Sequence, residues 1–246
     1  FSHIYGLVAI THASFFRGDS VVVLPRFEFR SFMRAVEVYQ INTLYLVPPI
    51  IIIMINSKKI LDQFDLSHVR AIFTGAAPLR RETSDALHEI FPHWVIRQGY
   101  GLTETSTVVS STANFDTCPG SAGSLVSGVE ARILSVDGKG LTGHDQPGEL
   151  LVKSPAVVLG YLNNPEANKE AFVTDKNGDR WLRTGDEVVF RKSANGHEHL
   201  FIVDRIKELI KVKVSNFQIS QETFLNQYSG TPSCSSGAGS TYSHSS

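Results

Sequence analysis

Apolar residues in the first half of the chain recur in two alternating rhythms. Residues 21–24 form a short β-branched run that ends at Pro25 and predicts a strand. Phe29, Phe32, Met33 and Val36 fall at helical spacing and predict a helix over Phe29–Val38. Residues 43–47 read as a strand stopped by Pro48-Pro49, and 69–73 read as another. A tight loop, Thr74-Gly75-Ala76-Ala77-Pro78, follows, with Pro78 suited to a helix's first turn. Leu79, Thr83, Ala86, Leu87 and Ile90 mark one face of that helix, Pro92 closes it, and Trp94-Val95-Ile96 begins the next strand. Strand–helix alternation of this kind predicts an α/β fold with a mostly parallel sheet.

Beyond residue 118 the texture changes. Short runs at 130–136, 149–153, 188–190 and 200–203 are separated by Gly, Pro, Asn and Asp. Asp137-Gly138, Asn177-Gly178 and Asn195-Gly196 are hairpin signals, so a small antiparallel sheet or barrel is expected. The chain divides into a partial α/β subdomain (1–118), a small β subdomain (119–203), a charged hinge (204–213) and a divergent tail (214–246). From Ser229 onward the tail is Ser/Gly-rich without Leu, Ile or Val, which predicts disorder.

Composition narrows the class. At 246 residues and 42% hydrophobic, the chain can bury a core as one large domain or two small ones. A formal net charge of −1, from 23 basic and 24 acidic side chains, argues against a broad nucleic-acid surface and against a polybasic membrane patch. The greasiest run, 44–55, is too short to span a bilayer and contains Pro48-Pro49. Two cysteines make no disulfide framework, which favours an intracellular protein. The opening Phe-Ser-His-Ile-Tyr lacks a signal peptide's basic region, so the chain is expected to begin inside a longer protein.

Candidate chemistry concentrates in Gln98-Gly99-Tyr100-Gly101-Leu102-Thr103-Glu104-Thr105, placed just past a predicted strand, where open α/β sheets bind ligands. Its glycines permit close backbone approach, and Thr103 with Glu104 suits a phosphate oxygen and its Mg²⁺. Alone, the stretch fits a structural turn with a helix cap equally well. His197-Glu198-His199 offers two ligands with no third and reads as a solvent-facing strand.

Further blocks occur in order: Thr74-Gly75-Ala76-Ala77-Pro78-Leu79, Trp181-Leu182-Arg183-Thr184-Gly185-Asp186, and Asp204-Arg205-Ile206-Lys207-Glu208-Leu209-Ile210-Lys211. With the Tyr100 block they resemble the adenylate-forming superfamily, closest to 4-coumarate–CoA ligases and other acyl-CoA synthetases. Phe1-Ser2-His3-Ile4-Tyr5-Gly6-Leu7 resembles its acyl-site histidine motif. Gly148-Glu149-Leu150 with Gly160-Tyr161-Leu162-Asn163-Asn164-Pro165 resembles its barrel motif.

The resemblance implies ATP, Mg²⁺ and coenzyme A acting on a small-molecule carboxylic acid, through acyl-AMP to acyl-CoA. It implies that Gly75, Ala76, Ala77 and Pro78 line the adenine, with Gln98, Gly99, Tyr100 and Gly101, and that Tyr100 stacks on the ring. Thr103 would meet the α-phosphate, Glu104 the Mg²⁺, Asp186 the ribose hydroxyls and Arg205 the ribose and phosphate. Lys211 would act near the phosphate and thioester chemistry, while His3, Tyr5, Gly75 and Gly101 would line the acyl site.

Three family parts have no match in the chain: the Lys-ending loop for the outer phosphates, the C-terminal swinging domain with its catalytic lysine, and the coenzyme A tunnel that domain completes. The expectation is therefore a fragment of a carboxylate–CoA ligase, inactive alone. Alternatives are a non-catalytic nucleotide- or acyl-adenylate-binding fragment, and a luciferase-like or peptide-synthetase adenylation member. The compartment expected for the full-length parent is cytoplasmic or peroxisomal; His244-Ser245-Ser246 is no targeting tripeptide and does not decide between them.

Overall fold

A computed structural model describes residues 2–206. The role expected of Lys211 and the disorder expected of 214–246 lie outside the described residues.

The first layer is a five-stranded sheet of β1 (Thr43–Leu46), β2 (Ala71–Thr74), β3 (Val95–Leu102), β4 (Thr107–Ser111) and β5 (Ser124–Leu125), side by side in that order. The β1–β2–β3 ladders are parallel, and the β3–β4–β5 ladders are antiparallel. The sheet is thus mixed rather than mostly parallel. Parallel neighbours need a long crossover, which helices supply before β3, whereas β3 and β4 are joined by the four residues 103–106.

A π-helical stretch, Tyr5–His12, runs into α1 (Ala13–Arg17). Helix α2 (Phe29–Val38) starts where the Glu28 carboxylate accepts the amides of Arg30 and Ser31. Helices α3 (Pro48–Asn56) and α4 (Lys58–Leu61) cross from β1 to β2, and α5 (Arg81–Ile90) crosses from β2 to β3. Met33, Val36, Ile51, Met54 and Leu87 from α2, α3 and α5 pack with Leu44, Leu46 and Ile72 of the strands, all buried. Each such side chain removed from water contributes roughly 1.5–3 kcal/mol.

The second sheet holds β6 (Glu130–Leu134), β7 (Gly140–Leu141), β8 (Gly148–Lys153), β9 (Phe172–Thr174), β10 (Arg180–Lys192) and β11 (Glu198–Arg205). Its order is β11-β10-β8-β6-β7, with β9 also on β10, and every ladder is antiparallel. The three expected hairpins form, with Gly138, Gly178 and Gly196 at φ of 74°, 84° and 86°. Ile133, Leu150, Val152, Val188 and Leu200 form its core together with Val109 of β4, and Tyr100 and Leu102 of β3 pack on the same cluster. Strand β3 is therefore fastened to both sheets. Helix α6 (Pro165–Ala171), capped by the Asn164 side chain, has no counterpart in the sequence reading.

Several expectations are corrected. Residues 21–24 form no strand; Val23 is 58% exposed, and no strand pairs with the segment. Pro78 precedes α5 by three residues, because the helix begins at Arg81. Gln98 to Leu102 lie inside β3, not beyond it. Asp186 sits within β10, which runs continuously from Arg180 through a bulge and so is longer than the expected 188–190. His199 is not solvent-facing: it is 1% exposed, with Nε2 at 3.1 Å from Asp116 Oδ2 and Nδ1 at 2.9 Å from Ser121 Oγ. Asp116 also accepts from Ser193 Oγ at 2.9 Å and pairs with His197 Nδ1 at 2.6 Å, so the histidines serve a buried polar cluster. Burial opposes the Asp116 charge, but the bonds from His197, Ser193 and His199 outweigh it and hold the carboxyl below its ordinary range.

Candidate active site

Strand β3 carries the site, and its glycines are dictated by its neighbours. A Cβ on Gly99 would lie 2.7 Å from Phe73 Cζ, and one on Gly101 would lie 1.4 Å from the Thr107 carbonyl oxygen. Only glycine lets β3 lie this close to β2 and β4 while presenting Tyr100 between them.

The Tyr100 hydroxyl donates to Asp186 Oδ2 at 2.6 Å, and Arg205 Nε donates to Asp186 Oδ1 at 3.1 Å. Asp186 is 3% exposed, so its charge is stabilised by these two donors rather than by water. Register brings the pair together: Asp186 of β10 stands opposite Arg205 of β11. Burial, and then the Asp186 charge, hold Tyr100 far above the ordinary phenol range, so it remains a proton donor.

The end of β2 and the end of β3 open onto a cavity of about 330 Å³. This is near the lower end for small-molecule pockets. Its lining brings together His3, Tyr5, Gly75, Ala76, Gly99, Tyr100, Gly101, Thr103, Glu104 and Arg205. Tyr5 enters because its hydroxyl donates to the Phe73 carbonyl at 3.0 Å while its ring lies beside Phe73, and its backbone N–H donates to His3 Nδ1 at 3.1 Å. Burial, and secondarily Tyr45, push the Tyr5 phenol up as well. Gly75 is buried below the Tyr5 ring, and Ala76 takes a left-handed φ of 68°.

The turn that bears Thr103 and Glu104 is held on every side. Thr105 Oγ1 accepts from the Leu102 amide at 3.0 Å, Ser106 Oγ donates to the Ala156 carbonyl at 2.8 Å, and Thr107 Oγ1 donates to the Ile4 carbonyl at 3.2 Å. Ser106 and Thr107 both have positive φ, 50° and 109°, a strained backbone that these tethers over-determine. Glu104 makes no ion pair among the described residues, and of its two oxygens Oε1 alone is bonded, to Tyr161. A half-coordinated carboxylate beside the Thr103 side chain, at the wall of a cavity, is the hard-oxygen donor set that suits Mg²⁺, which keeps waters and substrate phosphates as its other ligands.

Not every expected residue reaches the cavity. Ala77 and Pro78 are exposed next to it and are not part of its wall. Gln98 is buried behind it, with Oε1 accepting from the Leu79 amide at 2.8 Å and Nε2 donating to the Ser121 carbonyl at 2.9 Å. Its side chain anchors the loop after β2 rather than facing a ligand. Asp186 stands one side chain back, behind Tyr100 and Arg205. Ile4, Phe73, Leu102, Thr107 and Val108 also line the wall without having been site candidates. Their position at strand ends beside the motifs, or for Ile4 inside one, was the available signal.

This layout, a mixed α/β layer joined to an antiparallel sheet with a pocket at the strand ends, matches part of the large N-terminal domain of adenylate-forming enzymes. The family model described as AMP-binding enzyme matches residues 1–162, and the chain belongs to that family. It is 46% identical to acyl-CoA ligase AFT1-1 of Alternaria alternata over 89% of this chain and 37% of that protein. It is 43% identical to acyl-CoA ligase lcsD of Purpureocillium lilacinum over 86% of this chain and 54% of that protein. Among solved structures, an ATP-bound RpMatB-BxBclM chimera aligns with a TM-score of 0.71 at 26% identity, over 83% of this chain and 38% of that one. The chain thus spans about a third to a half of the length of these proteins. No helix among the described residues is long and apolar enough to cross a membrane.

Proposed function

We propose that this chain supplies the nucleotide- and acyl-binding part of an ATP-dependent carboxylate–CoA ligase. The observation that carries the reading is the meeting of three strand ends on one cavity: the loop after β2, the end of β3, and Arg205 at the end of β11. Likeness to acyl-CoA ligases and to an ATP-bound structure supports the choice of chemistry.

In this reading the Tyr100 ring is the adenine platform, and the backbone at Gly75 and Ala76 borders it. Asp186, one side chain back from the cavity, holds Tyr100 and Arg205 in place, and Arg205 faces the ribose and the phosphate. The Thr103 hydroxyl donates to an α-phosphate oxygen. The acid enters past His3 and Tyr5, with Gly75 and Gly101 leaving room for it. A carboxylate oxygen of the acid attacks the α-phosphorus and pyrophosphate leaves; a coenzyme A thiol then attacks the acyl carbon and AMP leaves. Mg²⁺, held by Glu104 near Thr103, would screen the charge between the two anions. Lys211, outside the described residues, is assigned to the phosphate and thioester chemistry by resemblance.

A second reading, adenylate binding without turnover, draws on the charge of the cavity wall. Arg205 is the one Lys or Arg in its wall among the described residues, which suits a monophosphate better than a triphosphate. Calorimetry with AMP and with a non-hydrolysable acyl-adenylate mimic tests the binding common to both readings. Both ligands are expected to bind and Tyr100→Ala to abolish it; no binding of either would overturn both readings. ATP–pyrophosphate exchange with a panel of carboxylic acids separates them, because exchange by this chain requires the first.

A further inference from the structure

We propose that Tyr161 is a positioning residue that sets the Glu104 carboxylate for a divalent cation; this rests on the reading of Glu104 as the cation's ligand. The Tyr161 hydroxyl donates to Glu104 Oε1 at 2.6 Å, which leaves Oε2 without a hydrogen-bond partner among the described residues. The phenol is itself fixed. The Tyr161 amide donates to Asn168 Oδ1 at 2.6 Å, and Asn168 Nδ2 donates back to the Tyr161 carbonyl at 2.9 Å. Gly160, at φ 151°, makes room for this, since a Cβ there would lie 2.7 Å from Asn168 Oδ1. Arg180 donates to the carbonyls of Val158 and Leu159, both at 2.9 Å, and the Val158 amide donates to the Glu104 carbonyl at 2.9 Å. The 156–161 segment therefore grips Glu104 by backbone and side chain at once.

The chemistry follows from the geometry. Mg²⁺ tolerates little departure from octahedral coordination, so a carboxylate already locked in one rotamer loses less freedom on binding it. A neutral donor steadies the carboxylate without cancelling its charge.

The test uses the whole 246-residue chain. Mn²⁺ is titrated into AMP-saturated protein and followed by electron paramagnetic resonance, while AMP affinity is measured separately in chelator. Tyr161→Phe is expected to weaken Mn²⁺ binding about 10-fold, the scale of losing an outer partner of a metal ligand. AMP affinity in chelator should not change, whereas a merely structural lesion would lower both. Asn168→Ala, which keeps the phenol and frees its backbone, should shift Mn²⁺ affinity in the same direction and serves if Tyr161→Phe fails to fold. Glu104→Gln separates the two ideas. If it loses Mn²⁺ while Tyr161→Phe and Asn168→Ala bind normally, the role of Tyr161 is overturned and Glu104 stands. If Glu104→Gln binds Mn²⁺ as well as the parent, the reading of Glu104 falls and the proposal with it.

Discussion

The Tyr100 hydroxyl and the Asp186 carboxylate meet at 2.6 Å although they are separated by 86 residues, and Arg205 completes the buried carboxylate from the neighbouring strand. Tyr100 and the acidic residue behind it are thus one hydrogen-bonded unit spanning both sheets. Replacing Asp186 by Asn keeps one acceptor and removes the charge. Unfolding free energy is expected to fall by about 1–2 kcal/mol, because Arg205 is largely exposed and the main loss is at Tyr100. Urea denaturation measures this, and calorimetry should show weakened AMP binding in the same variant.

Two glycines of similar appearance should behave oppositely. Gly101→Ala drives a Cβ into the Thr107 carbonyl, a backbone atom that cannot yield without breaking the β3–β4 ladder. A loss of about 3 kcal/mol or more is expected, at or beyond the upper end for overpacking. Gly140→Ala, in β7 with nothing near the added carbon, should stay within about 0.5 kcal/mol of the parent. Equal denaturation midpoints for the two variants would contradict the packing described for β3.

Ala76 carries a left-handed backbone at the cavity wall. Gly removes the Cβ strain, worth about 1–2 kcal/mol, at an entropic cost of about 0.5–1 kcal/mol. Ala76→Gly is therefore expected to raise the melting temperature slightly, and Ala76→Val to lower it clearly.

The Asp116 cluster should give an acid-dependent contribution. The folded carboxyl titrates below its ordinary value of 3.8, so its stabilisation is complete above that pH and is lost as pH falls through the folded value. Asp116→Asn should cost about 1.5–3 kcal/mol near neutrality, the range for bonds to a charged group. The gap between parent and variant should narrow below pH 4 in denaturation curves taken across that range. A gap that widens on acidification would contradict the assignment.

Local pattern made the helices and hairpins legible. Phe29–Val38 emerged with its observed ends because its apolar stripe faces one core and Glu28 caps it, and each Asn-Gly or Asp-Gly pair marked a real turn. Three site blocks also lay in plain view, since their residues are contiguous. What stayed hidden depends on distant partners. Residues 21–24 have strand composition but nothing to pair with. Of β10 only 188–190 read as a strand, because Gly185 and the bulge interrupt the alternation before it. The burial of His199 is decided by Asp116 and Ser121, 83 and 78 residues away. The bond from Tyr161 to Glu104 spans 57 residues, so its motif carried no hint of the role.

Strand β3 pairs in one direction along its first half and in the other along its second. The antiparallel half is a near-neighbour hairpin and can zip within microseconds of collapse. The parallel half waits for α5 to loop back, and the Asp186 contact waits for most of a second sheet. Assembly of the cavity therefore belongs to the closing moments of folding, and a chain stalled earlier would own Tyr100 and Glu104 but have no chamber to place them in.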